Sequence, residues 1–310
     1  SYDCRIENCR VADVSGNGIG IGEGAERKLP NGQSWISDPQ QVASGNFVTG
    51  NEVTRCGRQF HGAVAIWAGL VKNARILRNH VHDHPYTGIS VGWMWNPSPT
   101  PCAGNRVEGN HIHHVMQLLS DGGGIYTLGR QPGSVYRHNH IHDVPLNAGR
   151  AESNGMFLDQ GSSEFTISHN LIYGIARSPL RFHQCGRIDV HHNTWTLPKN
   201  IPELRFNNTP KEVIHARDNS ILDQAAITAI GQSHVVSREP HVGLFGDLVV
   251  VDCDLHGGGG RVTRLIGDQH FQRPSGDCTG VDRSWIVDSD HPGVGIDLER
   301  FTDAGFANFF

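Results

Sequence analysis

The sequence predicts an all-β chain folded as a right-handed parallel β-helix, a solenoid of about eight coils with an irregular C-terminal extension. Two observations lead to this prediction. An asparagine recurs at intervals of about one coil, and each is followed by a second short segment in which apolar residues alternate. The 38 glycines and 15 prolines agree with this prediction, because they favour short strands and tight turns over long helices.

The recurring asparagine defines the coils. From Asn51 to Asn219 the spacings are 28, 31, 29, 31, 23 and 26 residues, and the preceding gap of 43 residues from Asn8 contains a Pro/Gly/Ser-rich insertion at about 28–45. Asparagine tolerates the left-handed backbone, and its amide can bond to the next coil, so we expect an interior asparagine ladder. Its members are Asn8, Asn51, Asn79, Asn110, Asn139, Asn170, Asn193 and Asn219.

Apolar residues occupy fixed places around these asparagines. Two residues after the asparagine come Val81, Ile112, Ile141, Ile172, Trp195 and Ile221, and three before it come Ile76, Val107, Tyr136, Ile167 and Val190. Such columns are predicted to face the interior of a solenoid. A leucine-rich repeat is excluded because no leucine consensus recurs.

A second strand follows each asparagine, and its period of two separates the inner face from the outer one. The segments align as 18–23, 63–68, 88–93, 124–129, 155–160, 179–184 and 203–208. The outward positions are small in the early coils and aromatic in the middle ones. They end with Asp159, Arg181, His183 and Arg205, on neighbouring strands about 4.8 Å apart. The outer face of the late coils therefore has the residues of a functional site.

Composition sets the limits of the remaining predictions. We expect coils over 1–224 and, where the repeat fades, an extension over 225–310 that packs on or caps the solenoid. A net charge of −5 without a Lys/Arg block argues against a nucleic-acid partner, and the lack of a long apolar run argues against a membrane partner. Seven cysteines without a CxxC pair make a zinc site improbable, and no cofactor is expected.

Two carboxylates are candidates for chemistry on a glycan, since hydrolysis of a glycosidic bond needs a pair of carboxyl groups. Asp159 is the first, although a surface salt bridge with Arg181 is an alternative. Asp121 is the second: it precedes three glycines, which either hold it over a cleft or form an ordinary Asp-Gly turn. Strand counting leaves these two residues far apart, so Glu152 is kept as a substitute acid.

The surrounding residues are candidates for substrate binding. Trp67, Trp93, Tyr126 and Phe157 offer planes on which sugars stack, or else they cover the sheet beneath loops. The predicted substrate-binding residues are Arg181, His183, Arg205, Gln160, Tyr126, Trp93 and His113. The columns His80/His111/His140 and His82/His113/His142 are interpreted as structural, because a copied repeat stacks its histidines and no acidic cluster completes a metal site.

The motifs "SDGGGIYTLG" and "NGMFLDQGSSEFTISHNLIY" resemble the β-helical glycoside hydrolases, most closely family 141 and more distantly family 120, over about residues 73–224. The resemblance implies Asp121 and Asp159 as the catalytic pair and a fucose- or xylose-containing glycan as substrate. It also implies further N-terminal coils or a partner chain, because similar proteins are longer and this sequence begins inside a coil at "SYDCRIENC".

Two other functions remain open on the same scaffold. Arg181, Arg205 and His183 also suit a polysaccharide lyase or uronate epimerase, which neutralises a carboxylate and abstracts a proton. Because many solenoids have no chemistry, a non-catalytic glycan-binding β-helix is the third possibility. For a protein that acts on glycans we expect an extracellular or periplasmic location.

Overall fold

The computed structural model of the protein describes residues 1–26, 28–32, 34–146, 153–223, 249–254 and 261–266. Residues 1–223 contain three parallel sheets in which strands from successive coils pair in order. The predicted right-handed parallel β-helix is confirmed. No helix in the described part of the chain is long and apolar enough to cross a bilayer.

Each sheet takes one strand from each coil. Sheet A consists of Arg5–Glu7, Phe47–Thr49, Arg75–Leu77, Arg106–Glu108, Arg130–Arg137, Ser163–Ser168, Ile188–His191 and Ile214–Arg217. Sheet B consists of Arg10–Ala12, Glu52–Thr54, His80–His82, His111–His113, His140–Val144, Leu171–Ile175, Thr194–Trp195 and Ser220–Ile221. Sheet C consists of Ile19–Ile21, Ile66–Ala68, Ile89–Val91, Gly122–Thr127, Ser153–Leu158, Leu180–His183 and Leu204–Asn207.

A few short elements accompany the sheets. Ala43–Ser44 pairs with Val71–Lys72, and 3₁₀ helices span Trp35–Ser37, Pro39–Gln41 and Lys211–Val213. The first two of these helices lie in the predicted insertion, which is anchored by the buried Trp35 through an indole N–H that donates to the Gly24 carbonyl at 2.8 Å. In the predicted extension, Val249–Asp254 and Arg261–Ile266 form an antiparallel pair.

The interior of the coils is filled by the predicted apolar columns. In sheets A and B the predicted inward residues are fully buried except Ile221, which is 57% exposed because it lies in the last strand of sheet B. The inward residues of sheet C are buried from Ile19 to Phe182, and its last pair, Leu204 and Phe206, is half-buried. The core is therefore continuous along the stack and thins toward its end.

The asparagine ladder is present from Asn51 to Asn219. In each step the amide oxygen of one asparagine accepts from the backbone N–H and the side-chain Nδ2 of the asparagine one coil earlier. For example, Asn110 Oδ1 lies 3.0 Å from both nitrogens of Asn79. The Nδ2 group of Asn110 also donates to the Ile76 carbonyl at 2.9 Å. The buried asparagines thus satisfy polar groups at the turn between sheets A and B.

Two details of the predicted ladder were wrong. The left-handed residue is the one before each ladder asparagine, for example Arg78 at φ 51° and His138 at φ 55°, because the ladder asparagine must aim its amide along the stack. In the first coil Asn8 takes this left-handed position at φ 54°. Cys9 occupies the ladder place instead, with its N–H donating to Asn51 Oδ1 at 3.0 Å.

The predicted alignment of sheet C was wrong in the second coil. Trp67 pairs with Gly20 and Ser90, which moves this strand by two residues relative to the aligned segments. The inward pair is therefore Ile66 and Ala68 instead of Val64 and Ile66. Because a shift of two preserves the period of two, Trp67 keeps its predicted outward orientation.

Replacing Asn110 by alanine tests the contribution of the ladder to stability. The substitution leaves the backbone N–H of Asn79 without its acceptor, removes one of the two acceptors of Asn79 Nδ2, and removes the Nδ2 donor from the Ile76 carbonyl. Since buried unsatisfied groups cost about 1–3 kcal/mol each, the free energy of unfolding should fall by at least about 2 kcal/mol in urea denaturation. Asn96→Ala, at an exposed loop position, is the control and should have a much smaller effect.

Candidate functional site on the outer face of sheet C

The outer face of sheet C presents two columns of side chains that the strand register fixes. The first column reads Trp67, Ser90, Tyr126, Phe157, Arg181 and Arg205. The second lies two residues further along each strand and includes Leu128, Asp159 and His183. The predicted late-coil residues Asp159, Arg181, His183 and Arg205 therefore lie on neighbouring strands of one face.

Asp159 is held by two donors. Its Oδ2 accepts from the Tyr126 hydroxyl at 2.5 Å, and its Oδ1 lies 2.6 Å from His183 Nδ1. The side chain is only 12% exposed. The predicted alternative, a salt bridge with Arg181, is not the arrangement observed, because Asp159 pairs with His183. Two donors orient the carboxylate, as a positioned reactive group requires.

His183 links Asp159 to the surface. Its Nδ1 faces the carboxylate, so Nδ1 carries the proton and donates it. Its Nε2 lies 3.2 Å from the amide nitrogen of Gln184 and accepts from it. The ring is therefore assigned as the neutral tautomer with the Nε2 lone pair directed away from Asp159.

Arg181 lies over the ring of Phe157, with its guanidinium carbon 4.4 Å from the ring centroid. Its Nε and Nη1 atoms are buried and make no hydrogen bond within the described part of the structure. The side chain as a whole is half-buried, so a guanidinium fixed by this cation–π contact keeps some exposed surface for an oxygen-rich ligand. Arg205 occupies the same position on the next strand.

Asp121 stands just before the strand Gly122–Thr127, and Tyr86 holds its backbone. The Tyr86 hydroxyl donates to the Asp121 carbonyl at 2.6 Å. Asp121 has a φ of 70°. In successive coils a left-handed residue recurs at fixed places, such as the one directly before each ladder asparagine, and Asp121 does not occupy such a place. A left-handed residue outside the repeat marks a turn specific to this coil.

The glycines after Asp121 belong to the strand and permit close packing. A Cβ on Gly124 would lie 2.5 Å from Ile141 Cγ2 and 2.9 Å from the Gly155 carbonyl, and one on Gly123 would lie 2.7 Å from the Asn154 carbonyl. These distances are shorter than van der Waals contact. The three glycines therefore allow close packing directly after Asp121, and they do not form an ordinary Asp-Gly turn.

The pKa of Asp121 depends on burial and on three charged groups. Burial raises the pKa of Asp121, and the negative charge of Asp159 raises it further, whereas Arg181 and His183 act in the opposite direction. Burial, together with the charge of Asp121 and then that of Asp159, raises the pKa of Tyr86 to about 12. We call Tyr86, Asp121, Tyr126, Asp159, Arg181 and His183 the carboxylate cluster.

A row of tryptophans lies beside the carboxylate cluster, toward the N-terminal coils. The rings of Trp67 and Trp93 meet edge to face at 5.5 Å, and those of Trp93 and Trp95 at 4.9 Å. Trp93 also packs on a small cluster of Tyr126, Leu128 and Phe157. Each ring of this tryptophan row is an apolar plane of the kind on which a sugar ring stacks.

Two aromatic residues have a role different from the predicted one. Phe157 is buried beneath Arg181, and Tyr126 is buried with its hydroxyl on Asp159, so neither presents a free plane to a sugar. Each ring instead supports a charged group: Phe157 lies beneath Arg181, and Tyr126 holds Asp159. Burial raises the pKa of Tyr126, and the charge of Asp159 and the hydrogen bond to it add to this effect, which keeps the hydroxyl a donor.

The remaining predicted residues are distributed as follows. Gln160 is half-buried beside Asp159, and its carbonyl accepts from the Gly129 N–H at 3.0 Å. His113 belongs to sheet B, where it stacks on His82, so the structure does not bring it to the carboxylate cluster. Nearness in sequence to Asp121 was misleading because the chain turns a corner between the two residues. Glu152 lies outside the described residues.

Sequence reasoning missed Tyr86 and Trp95. Tyr86 lies in "HPYTGIS", whose alignment with the next coil places it beside "SDGGGIY", and this alignment could have revealed it. Trp95 lies in the loop that follows Ile89–Val91. No repeat pattern extends into that loop, so only the structure shows that Trp95 continues the tryptophan row.

The chain matches the family described as the right handed beta helix region over residues 1–195. Because the match covers more than half of the 310 residues, the chain belongs to the right-handed β-helix family. No curated protein sequence matches it.

Several solved structures are similar to this chain. A glycoside hydrolase is 24% identical with a TM-score of 0.50, over 71% of this chain and 33% of that one. The periplasmic alginate epimerase AlgG is 14% identical with a TM-score of 0.45, over 72% and 46%. A GH136 lacto-N-biosidase from Eubacterium ramulus is 10% identical with a TM-score of 0.34, over 71% and 51%. The matches thus span about a third to a half of those chains, and the resemblance to families 141 and 120 stays a prediction.

The electrostatic coupling of the carboxylate cluster can be measured by NMR titration of ¹³C-labelled aspartate. Asp159→Asn removes a negative charge and should lower the pKa of Asp121, whereas Arg181→Met removes a positive charge and should raise it. Asp189→Asn, in an ion pair with His215 on sheet A, is the control and should leave it unchanged. An Asp121 pKa that does not respond to either variant of the cluster would show that the side chains are not close.

Proposed function

We propose that this protein is a glycan-acting enzyme, and specifically a glycoside hydrolase in which Asp121 and Asp159 are the catalytic carboxyl groups. The observation that carries the proposal is that two aspartates with different surroundings flank neighbouring strands of sheet C, and that the charge of Asp159 raises the pKa of Asp121. Asp159 is fixed by Tyr126 and His183, whereas Asp121 has its pKa raised by burial and by Asp159. Glycosidases need such a pair.

The two environments suggest different roles. A raised pKa favours the protonated form of Asp121, which suits it to donate a proton to the leaving oxygen of the glycosidic bond. Asp159 is an oriented acceptor and suits attack on the anomeric carbon or activation of water. Tyr126 and His183 then act as positioning residues, since each holds one oxygen of Asp159.

Residues on both sides of the carboxylate cluster are suited to contact the substrate. The tryptophan row of Trp67, Trp93 and Trp95 suits stacking of sugar rings on the N-terminal side of the carboxylate cluster. On the other side, the half-buried guanidinium of Arg181 suits sugar hydroxyl or carboxylate oxygens, and Arg205 follows on the next strand. An extended oligosaccharide running along the stack of coils would contact both regions.

A polysaccharide lyase or uronate epimerase is the second candidate. It is favoured by Arg181, whose half-buried guanidinium is fixed over Phe157 and suits a uronate carboxylate. His183, with its Nε2 lone pair directed away from Asp159, suits proton abstraction from the carbon beside that carboxylate. In this mechanism Asp159 would orient the base and would not attack sugar.

Finer points of the proposal rest on the resemblance to families 141 and 120. The first point is that the substrate contains fucose or xylose. The second is that further N-terminal coils or a partner chain complete the protein, and the third is an extracellular or periplasmic location. The location receives no support from disulfides, because the cysteines whose side chains are described are free thiols. If glycans bind to the protein but are not converted, the protein has a non-catalytic glycan-binding role.

Activity measurements on a panel of glycans test the proposed pair. Asp121→Asn and Asp159→Asn should each lower the release of reducing sugar at least about a hundredfold, because each removes a general acid, base or nucleophile. Asp189→Asn, which alters an Asp–His pair on sheet A, is the matched control and should keep full activity. Circular dichroism verifies that each variant is folded.

The same assay separates the alternatives. Full activity of either cluster variant would remove that aspartate from the mechanism. Polymer cleavage accompanied by ultraviolet absorbance from a new double bond would identify a lyase and contradict hydrolysis. Binding detected by calorimetry without any product, and unchanged in Asp121→Asn, would identify a glycan-binding protein.

A further inference from the structure

The outer face of sheet B carries a regular array of imidazoles, which we call the histidine face. Three consecutive strands each contribute two histidines, and the register aligns them in two columns. All six are half-buried and stack with ring centroids about 5 Å apart, close to the strand spacing. The members are His80, His82, His111, His113, His140 and His142.

Pairs of ring nitrogens approach each other closely across this face. His80 Nε2 lies 2.8 Å from His113 Nε2, and His111 Nε2 lies 2.8 Å from His142 Nε2. Between two neutral imidazoles such a contact holds a single proton, donated by one ring to the lone pair of the other. A cation can take the place of that proton if a third ligand is near.

A third histidine is near in two places. The ligand atoms of His80, His111 and His113 lie within 4.8 Å of one another, and so do those of His111, His140 and His142. Imidazole is a good ligand for zinc, nickel and copper, and three histidines with an open position form a recognised zinc site. His111 belongs to both triads, so it is the centre of the array.

The surroundings favour the triad of His111, His140 and His142. Asp143 Oδ2 lies 2.9 Å from His142 Nδ1, so that nitrogen keeps its proton and Nε2 presents a lone pair toward His111. A carboxylate on the far nitrogen of a ligating histidine orients the ring and strengthens it as a ligand. In the other triad the Nδ1 of His113 meets a second imidazole, His114, at 2.7 Å.

We propose that the histidine face binds one borderline transition-metal ion, with Zn²⁺ as the reference, through His111, His140 and His142. Zn–N bonds of about 2.0–2.1 Å place tetrahedral ligand nitrogens about 3.3 Å apart, so the His111–His142 contact must open by about 0.5 Å. On binding, the proton of His111 shifts from Nε2 to Nδ1, so the ring stays neutral and its Nε2 lone pair faces the ion. The ion would join two consecutive coils, a role independent of the proposed glycan chemistry.

Zinc titration of histidine variants by calorimetry tests the site. Wild type, His80→Gln and the control His215→Gln, on sheet A, should bind one ion with the same affinity. His111→Gln and His142→Gln should each weaken binding at least about tenfold, and loss of the carboxylate in Asp143→Asn should weaken it about 10–100-fold. Histidines elsewhere in the chain are common to all variants and cancel from the comparison.

Cobalt substitution provides a measurement that needs no variant. Co²⁺ bound to wild-type protein should show the intense visible absorption of a tetrahedral site, and a weak octahedral spectrum would overturn the proposal. Equal zinc affinity of wild type and folded His111→Gln would overturn it as well. Loss of binding in His80→Gln with full binding in His142→Gln would reject the chosen triad in favour of the other.

Discussion

The buried asparagine ladder is the constraint on which the rest of the structure depends. Each amide accepts two hydrogen bonds from the previous coil and donates one to a carbonyl there, so a coil cannot slip along its neighbour without breaking them. The ladder lies at the turn between sheets A and B and fixes the register of both. Since side chains alternate with a period of two, a fixed register decides which residues reach each outer face.

The carboxylate cluster lies where this regular pattern meets structure specific to single coils. The register aligns Arg181 with Phe157 and His183 with Asp159, so the strands alone build half of the cluster. The other half comes from an irregular loop, in which Asp121 adopts a left-handed turn and Tyr86 from the preceding coil holds its carbonyl. The repeat provides the strands of sheet C, and Asp121 stands where the chain departs from the repeat, directly before Gly122–Thr127.

The three sheets give the solenoid outer faces with different chemistry. Sheet C combines buried aromatic supports with acids, an arginine and a histidine, whereas sheet B stacks imidazoles with few acids at their margin. Both faces hold polar groups close together, and both depend on the same coil-to-coil register. One scaffold thus presents two separate sets of polar side chains.

The sequence by itself determined the architecture. Regular spacing of asparagines and alternation of apolar residues are local patterns, and in a solenoid each coil contacts mainly its neighbours, so local patterns specify the fold. They also placed Asp159, Arg181, His183 and Arg205 on one face of sheet C, which the structure confirms.

Only the tertiary structure decided the remaining contacts. The approach of Asp121 to the face, the roles of Tyr86 and Tyr126, and the separation of His113 from Asp121 depend on how loops fold across coils. Periodicity does not extend into these loops, and a left-handed turn or a hydroxyl–carboxylate contact leaves no repeating signal. The offset at Asn8 has the same origin, because a pattern read along the chain does not show which backbone conformation each position adopts.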